Sequence, residues 1–286
     1  MIDLHTHSNE SDGTLSPVRL VEEACRLGLE ALAIADHDTL AGYELAIPAA
    51  RGCGLDLVCA IELSTVLTRV ERPPVRHVHL LGYFLANSPT NAFRVWLEEI
   101  HTGRRVRNQL LAARLQQVGL DVTAGEAEAL GKTVTGRPHF ARVLVQKGLA
   151  ASVQDAFDRF LNDTAKAFVP RRVPPFSHVA ARILEAGGVP VLAHPFRLVG
   201  ERRERLEELV RSMIAQGLRG VEAYHSDHTE AETRHLLGLA STLELAVTGG
   251  SDFHGEPKPG VALGSLPVPR EVLDRLRRSN PQAPGR

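Results

Sequence analysis

The sequence predicts an α/β fold in which βα units surround a parallel sheet and one helical insertion interrupts them. Two observations carry this. Short apolar, β-branched-rich runs alternate with helical patterns along most of the chain, as in βα repeats. Between the fourth and fifth runs the rhythm stops for about eighty residues, too long for a structureless loop in a compact domain. A chain of 286 residues can bury the core that such a fold requires.

Strands are expected at 2–4, 31–35, 56–61, 78–83, 189–193, 220–224 and 245–248, each bounded by turn residues or a helix signal. After the first comes a helix with Ser16 as N-cap and Pro17 at its first position. Val18, Val21, Ala24, Cys25 and Leu29 recur there at helical spacing, and Gly28 marks the end. In the interruption Phe93, Trp96, Leu97, Ile100, Val106, Leu110, Leu111 and Leu115 keep helical spacing, and shorter patterns follow at 140–149 and 153–161. The expected organisation is a barrel domain from 1–85 and 171–279, a helical, substrate-capping insertion over 86–170, and a frayed tail at 280–286. Lys and Arg outnumber Asp and Glu in 86–170, so anionic groups of a substrate should meet the insertion. The charged run at 201–208 reads as the solvated face of a helix.

Composition excludes several classes. With 43% hydrophobic and 23% charged residues the chain is ordinary globular protein rather than disordered. A formal net charge of −1 argues against bulk electrostatic binding to nucleic acid, and so against duplex DNA as a partner. Cys25, Cys53 and Cys59 lie in apolar surroundings without a CxxC or zinc spacing, which predicts reduced core thiols and a cytoplasmic protein. Met1-Ile2 runs straight into Asp3, and no apolar run reaches spanning length, so neither secretion nor a membrane is expected.

In a parallel βα barrel the chemistry gathers at the C-terminal ends of the strands. Here those positions hold His5 and His7, Asp36-His37-Asp38, Glu62, His194, and Asp252 with His254; strand four instead carries His77 and His79 near its start. Side chains two apart on a strand share a face, so a His-x-His pair can share an ion. One such pair is weak evidence. Ionisable residues after five separate apolar strands are not, because burying them without partners or metals would cost several kcal/mol each. The donors are imidazoles and carboxylates without thiolate, which suits Mn²⁺, Fe²⁺ or Zn²⁺. They exceed the need of one ion, and two or three ions suit hydrolysis of a phosphate ester, generating hydroxide at neutral pH and neutralising charge on the attacked and leaving oxygens.

The segments Asp3-Leu-His-Thr-His7-Ser, Ser11-Asp-Gly13, Ile34-Ala-Asp-His-Asp-Thr39, Gly187-Gly-Val-Pro-Val-Leu-Ala-His-Pro195 and Gly249-Gly-Ser-Asp-Phe-His254 resemble the PHP (polymerase and histidinol phosphatase) family. The resemblance implies a distorted seven-stranded (β/α)7 barrel with a trinuclear site, manganese preferred and iron or zinc admissible. It implies that His5, His7 and Asp252 hold one ion and that Glu62 bridges it to a second, held also by His79 and His194. Asp12, His37 and His254 would take the third. His79 is preferred to His77 because His79-Leu-Leu-Gly82 fits the family's His-x-x-Gly pattern. A hydroxide between the ions joined by Glu62 would attack phosphorus in line.

Thr135-Gly-Arg-Pro-His-Phe140 and Val221-Glu-Ala-Tyr-His-Ser-Asp-His228 resemble the branch that dephosphorylates nucleoside 3′,5′-bisphosphates or monophosphates and that includes 5′-3′ trimming exoribonucleases. Alternatives are an exoribonuclease on short RNA, a histidinol phosphate phosphatase and an inactive metal-binding module. Substrate contacts are expected from Arg137, from His139 and from His225. Arg137 precedes Pro138 at a helix start, where a guanidinium fork can hold a second phosphate. His225 is the candidate phosphate contact or leaving-group donor, the other reading being that it only packs or hydrogen-bonds. His101, His178, His228 and His235 read as structural. The oligomeric state is left open.

Overall fold

The computed structural model describes residues 1–67, 76–200 and 203–279. The apolar runs form seven strands: β1 (Ile2–Thr6), β2 (Ala31–Ile34), β3 (Asp56–Leu67), β4 (Arg76–Phe84), β5 (Val189–Leu192), β6 (Gly220–His225) and β7 (Ala246–Gly250). They lie side by side in chain order and curl into a nearly closed barrel. His7 N donates to Phe253 O at 2.9 Å and Asp252 N to His5 O at 2.8 Å, so the end of β1 is tied to the segment after β7. Around the sheet run α1 (Pro17–Arg26), α2 (Ala41–Cys53), α3 (Asn91–Gln117), α4 (Ala124–Leu130), α5 (Arg137–Gln146), α6 (Val153–Ala156), α7 (Phe176–Glu185), α8 (Pro195–Val199), α9 (Leu206–Ile214), α10 (Glu230–Thr242) and α11 (Arg270–Ser279). The predicted cap of α1 is present, with Ser16 Oγ accepting from Arg19 N. The expected tail at 280–286 lies outside the described residues.

The sheet is not parallel throughout, and this corrects the expectation. β4 runs antiparallel to both β3 and β5. β3 continues to Leu67 and β4 begins at Arg76, leaving a connection too short for a crossover helix, so the two strands form a hairpin. One consequence positions the site. Reversing β4 turns its start, not its end, toward the C-terminal ends of the other strands, which is why the histidines of strand four stand at its beginning.

Alternation divides the core. Ile2, Leu4, Ala31, Ala33, Ala60, Leu81, Tyr83 and Val191 fill the barrel, and Val272, Leu273 and Leu276 of α11 close its lower end. The opposite faces of β3 to β6 pack against α7, α9, α10 and the first turns of α3. Residues of α3 to α6 share a further apolar cluster of their own. On α3 the buried stripe holds Phe93, Trp96 and Leu97, then His101, Arg104, Arg107 and Asn108, then Leu111, Ala112 and Leu115. Val106 and Leu110, expected inside, are exposed, because the middle of the inward face is polar. Val18 is exposed too, and Leu20 takes the buried position on α1.

The cysteine expectation fails for two of three. Cys25 lies in the last turn of α1 and Cys53 ends α2, and side-by-side packing brings their Cα atoms to 6.6 Å, where they are joined as a disulfide. Cys59 is free and buried. The inference of a cytoplasmic protein therefore loses its cysteine premise. Among the described residues no helix is long and apolar enough to cross a membrane.

Candidate metal centre

The centre is built at the strand ends by short-range rules. His5 and His7 alternate out of β1 on one side, their rings 5.2 Å apart. Asp12 follows on a loop pinned by Asp36, which accepts from Ser8 N at 2.8 Å, Ser8 Oγ at 2.6 Å and Ser11 Oγ at 2.6 Å. Gly13 is required there, since a Cβ would come within 2.3 Å of His7 O. Asp38, His194 and Asp252 are non-glycine residues with positive φ, at 56°, 31° and 57°. Such backbone is costly and persists only when surrounding contacts determine it.

Glu62 is the hub. Its Oε1 lies 2.9 Å from His79 Nδ1 and 3.0 Å from His194 Nε2; its Oε2 lies 3.0, 3.2 and 3.4 Å from His37 Nδ1, His7 Nε2 and His5 Nε2. Asp252 Oδ1 lies 3.2 Å from His7 Nε2 and 3.5 Å from His5 Nε2. Asp12 faces His7, His37 and His254 at 3.7, 3.7 and 3.4 Å. Donor atoms of His5, His7, Glu62 and Asp252 lie within 4.8 Å of one another, as do those of His7, Asp12, His37 and His254, and those of His37, Glu62 and His79. All nine residues named from the sequence are thus brought together.

The donors fit divalent cations. His7 Nδ1, His37 Nδ1 and His79 Nδ1 are buried without a hydrogen-bond partner although carboxylates stand beside them. Buried nitrogens are rarely left so, and lone pairs converging with carboxylate oxygens are what a metal ion uses. Charge agrees. Burial would raise Glu62, Asp12 and Asp252, but the surrounding imidazoles hold all three carboxyls well below their ordinary range. Burial pushes His37 down to about 3 and His194 to about 4, against the pull of Glu62 on both. Burial also works against charging His5 and His7. Carboxylates outweigh it, Glu222, Glu62 and Asp252 raising His5 and hydrogen bonds to Asp252 and Glu62 raising His7 to about 9. The negative charge draws protons that a divalent ion would replace.

The PHP domain model matches residues 3–173, more than half of the chain and the part that holds six of these donors. The chain belongs to the PHP domain family. The 5′-3′ exoribonuclease Rnm of Salmonella typhimurium is 34% identical over 92% of this chain and 87% of its own. The 3′,5′-nucleoside bisphosphate phosphatase of Chromobacterium violaceum is 28% identical over 97% of this chain and 98% of its own. A provisionally assigned metal-dependent phosphoesterase from Bifidobacterium adolescentis superposes with a TM-score of 0.85 at 33% identity, covering 100% of this chain and 98% of that one.

Around the PHP donors stand residues that strand-end reasoning missed. Glu222 is fully buried inside β6 and accepts from His5 Nδ1 and His194 N, both at 2.8 Å. Burial opposes its ionisation, but His5 and His225 hold its carboxyl at about 2. An ionisable residue in the middle of an apolar strand was the available signal. Lys258 contacts Asp252, and Arg197 Nη1 lies 3.3 Å from Asp252 Oδ2, joining α8 to the site. Nothing local in the sequence announces either.

The three expected substrate contacts fare differently. His225 is buried, its Nδ1 accepting from Asp227 N at 3.0 Å, so its Nε2 carries the proton toward Asp252 Oδ2 at 3.3 Å. It does not line the open cavity, a placement that matches the hydrogen-bonding reading. His139 is buried with Nδ1 accepting from Gly136 N, capping α5, yet it lines the cavity. Arg137 lines it as well, with Nη1 on Asp163 Oδ1 at 2.7 Å and Leu161 O at 3.1 Å. His77 is exposed at the rim and His79 meets Glu62.

The cavity, about 250 Å³, begins at Asp12, His37 and His79 and continues under the helices between β4 and β5. Its walls carry Arg104, Arg107, Arg137 and Arg171 and the rings of Phe157 and Phe168. Asp38 accepts from Arg104 Nε at 2.8 Å and Arg171 Nη1 at 3.0 Å. Burial opposes its charge, but those guanidiniums hold the Asp38 carboxyl well below its usual range.

Proposed function

We propose that this metal-dependent phosphoesterase removes phosphate from a nucleotide, a nucleoside 3′,5′-bisphosphate or a nucleoside monophosphate. The observation that carries the reading is the single cavity joining part of the donor set to four arginines and two phenylalanine rings. One phosphate at the donors does not need four guanidiniums, and a base needs an aromatic or apolar wall. The named activity of the Chromobacterium relative is of this kind. The segment 86–170, in this reading, is the cap that carries the substrate-selecting residues.

Two or three divalent ions, manganese foremost, would be held by His5, His7, Asp12, His37, Glu62, His79, His194, Asp252 and His254. Bound there they supply Lewis acidity toward phosphoryl oxygens and activation of water. The rest of the work is done by the chain. Glu222 fixes His5 through Nδ1, so that Nε2 faces Glu62 and Asp252. His225, Lys258 and Arg197 all meet Asp252 at Oδ2, orienting the carboxylate and offsetting its charge while Oδ1 faces His5 and His7. Asp38 holds Arg104 and Arg171 against the cavity, where a substrate anion would meet them.

A second reading is 5′-3′ exonuclease action on short RNA. It is favoured by a neighbouring cavity of about 220 Å³ on the other side of Arg104, lined by His101, Arg105 and Lys132, which would extend a basic track. A panel of nucleoside bisphosphates, monophosphates, histidinol phosphate and 5′-phosphorylated oligoribonucleotides, assayed with added Mn²⁺, separates the readings. Turnover confined to the oligoribonucleotides or to histidinol phosphate would reject the first.

A further inference from the structure

Four arginines line one cavity, and their charges are not answered equally. Arg104 and Arg171 share the carboxylate of Asp38. Arg137 has Asp163. Arg107 has no carboxylate partner among the described residues, although it is 7% exposed and belongs to the buried face of α3. Its Nε is buried without a hydrogen-bond partner. A buried guanidinium with no counter-charge is rare, because removing it from water is expensive unless an anion answers it. Burial, and then the charges of Arg104, Arg171 and Arg137, lower its pKa to about 9. Arg104, Arg107 and Arg171 set against Asp38 leave positive charge unneutralised on the wall of a cavity that opens onto the donor set.

We propose that Arg107 anchors a second anionic group of the substrate, a phosphate or phosphodiester other than the one hydrolysed. This rests on the nucleotide reading above and names what selects within it. A guanidinium presents a planar fork to two phosphate oxygens, and Arg107 is the arginine here whose fork is not already given to a carboxylate. Arg104 and Arg171 would flank the same anion while keeping Asp38. Arg137, the arginine expected from sequence in this role, has its charge answered by Asp163 and contributes less.

The test uses the manganese-loaded enzyme with p-nitrophenyl phosphate as reporter. The inhibition constants of a nucleoside 3′,5′-bisphosphate and of both corresponding monophosphates are compared in wild type, Arg107→Met, Arg107→Lys and Arg137→Ala, with product analysis in parallel. Wild type should prefer the bisphosphate to the better monophosphate by at least about tenfold. Arg107→Met should reduce that ratio by about tenfold or abolish it, Arg107→Lys should restore part of it by charge without the fork, and Arg137→Ala should lower it less. Melting curves check that each variant folds, and Arg107→Lys keeps the stem and the charge if the methionine variant does not. An unchanged ratio in both Arg107 variants, an equal loss on mono- and bisphosphate, or a larger effect at Arg137 overturns the proposal. Arg107-dependent binding of a bisphosphate that is never hydrolysed would leave this subsite standing and reject the proposed substrate. Hydrolysis of the bisphosphate with an Arg107-independent ratio would do the reverse.

Discussion

Replacing Glu62 by glutamine keeps the shape of the hub and removes its charge. In the structure its two oxygens face five imidazole nitrogens between 2.9 and 3.4 Å, His79 and His194 on one side and His5, His7 and His37 on the other. Glutamine has one acceptor oxygen, so whichever way the amide turns, its NH₂ occupies one of these two positions and cannot ligate there. Either position faces at least two of the imidazoles, and at about 1.5–3 kcal/mol for each bond to a charged group, losing two costs about 4 kcal/mol. At 1.36 kcal/mol per tenfold that is roughly a thousandfold in kcat/KM. The assay is metal content by plasma mass spectrometry together with kcat/KM at saturating Mn²⁺. Glu62→Gln should bind fewer ions per chain and lose roughly a thousandfold of activity while keeping the wild-type circular dichroism spectrum. Full metal content with activity within tenfold of wild type would refute the placement of Glu62 between ion positions.

Three further outcomes follow from the same geometry. The purified protein should carry two or three transition-metal ions per chain and lose phosphatase activity to a chelator, recovering it with Mn²⁺, as elemental analysis and assay will show; full activity of metal-free protein would contradict it. Glu222→Gln, which weakens the hold on His5 Nδ1 without touching substrate, should reduce metal affinity by about ten- to a hundredfold in a metal titration. Asp56 binds Arg277 at 2.8 and 2.9 Å and Arg270 at 2.6 Å, and although burial opposes it these arginines lower its pKa. That contribution is present above the ordinary aspartate value and disappears as pH falls through the lowered one. Asp56→Asn should therefore cost about 1 kcal/mol in urea unfolding at pH 7, with the difference closing as pH falls below the ordinary aspartate range; a gap that persists in acid would assign it to packing instead.

Features that depend on near neighbours were legible in the sequence. Strand existence followed from apolar runs, the start of α1 from Ser16 and Pro17, and the shared side of His5 and His7 from period-two alternation. Because catalytic groups in such barrels gather at strand ends, donors more than two hundred residues apart, such as His5 and Asp252, could be grouped before any coordinates. Features that depend on orientation and on distant partners were not. The reversal of β4 was hidden because an antiparallel strand has the same alternation as a parallel one, and His79 was placed by a family pattern rather than by physics. The Cys25–Cys53 pairing needed two helices to be laid side by side. On α3, apolar periodicity found the right face at both ends but put Val106 and Leu110 inside, because it cannot anticipate that His101, Arg104, Arg107 and Asn108 are buried over a cavity. A charged residue in a sequence reads as solvated until something in the fold faces it, and for Arg107 that is the open space beside the donor cluster.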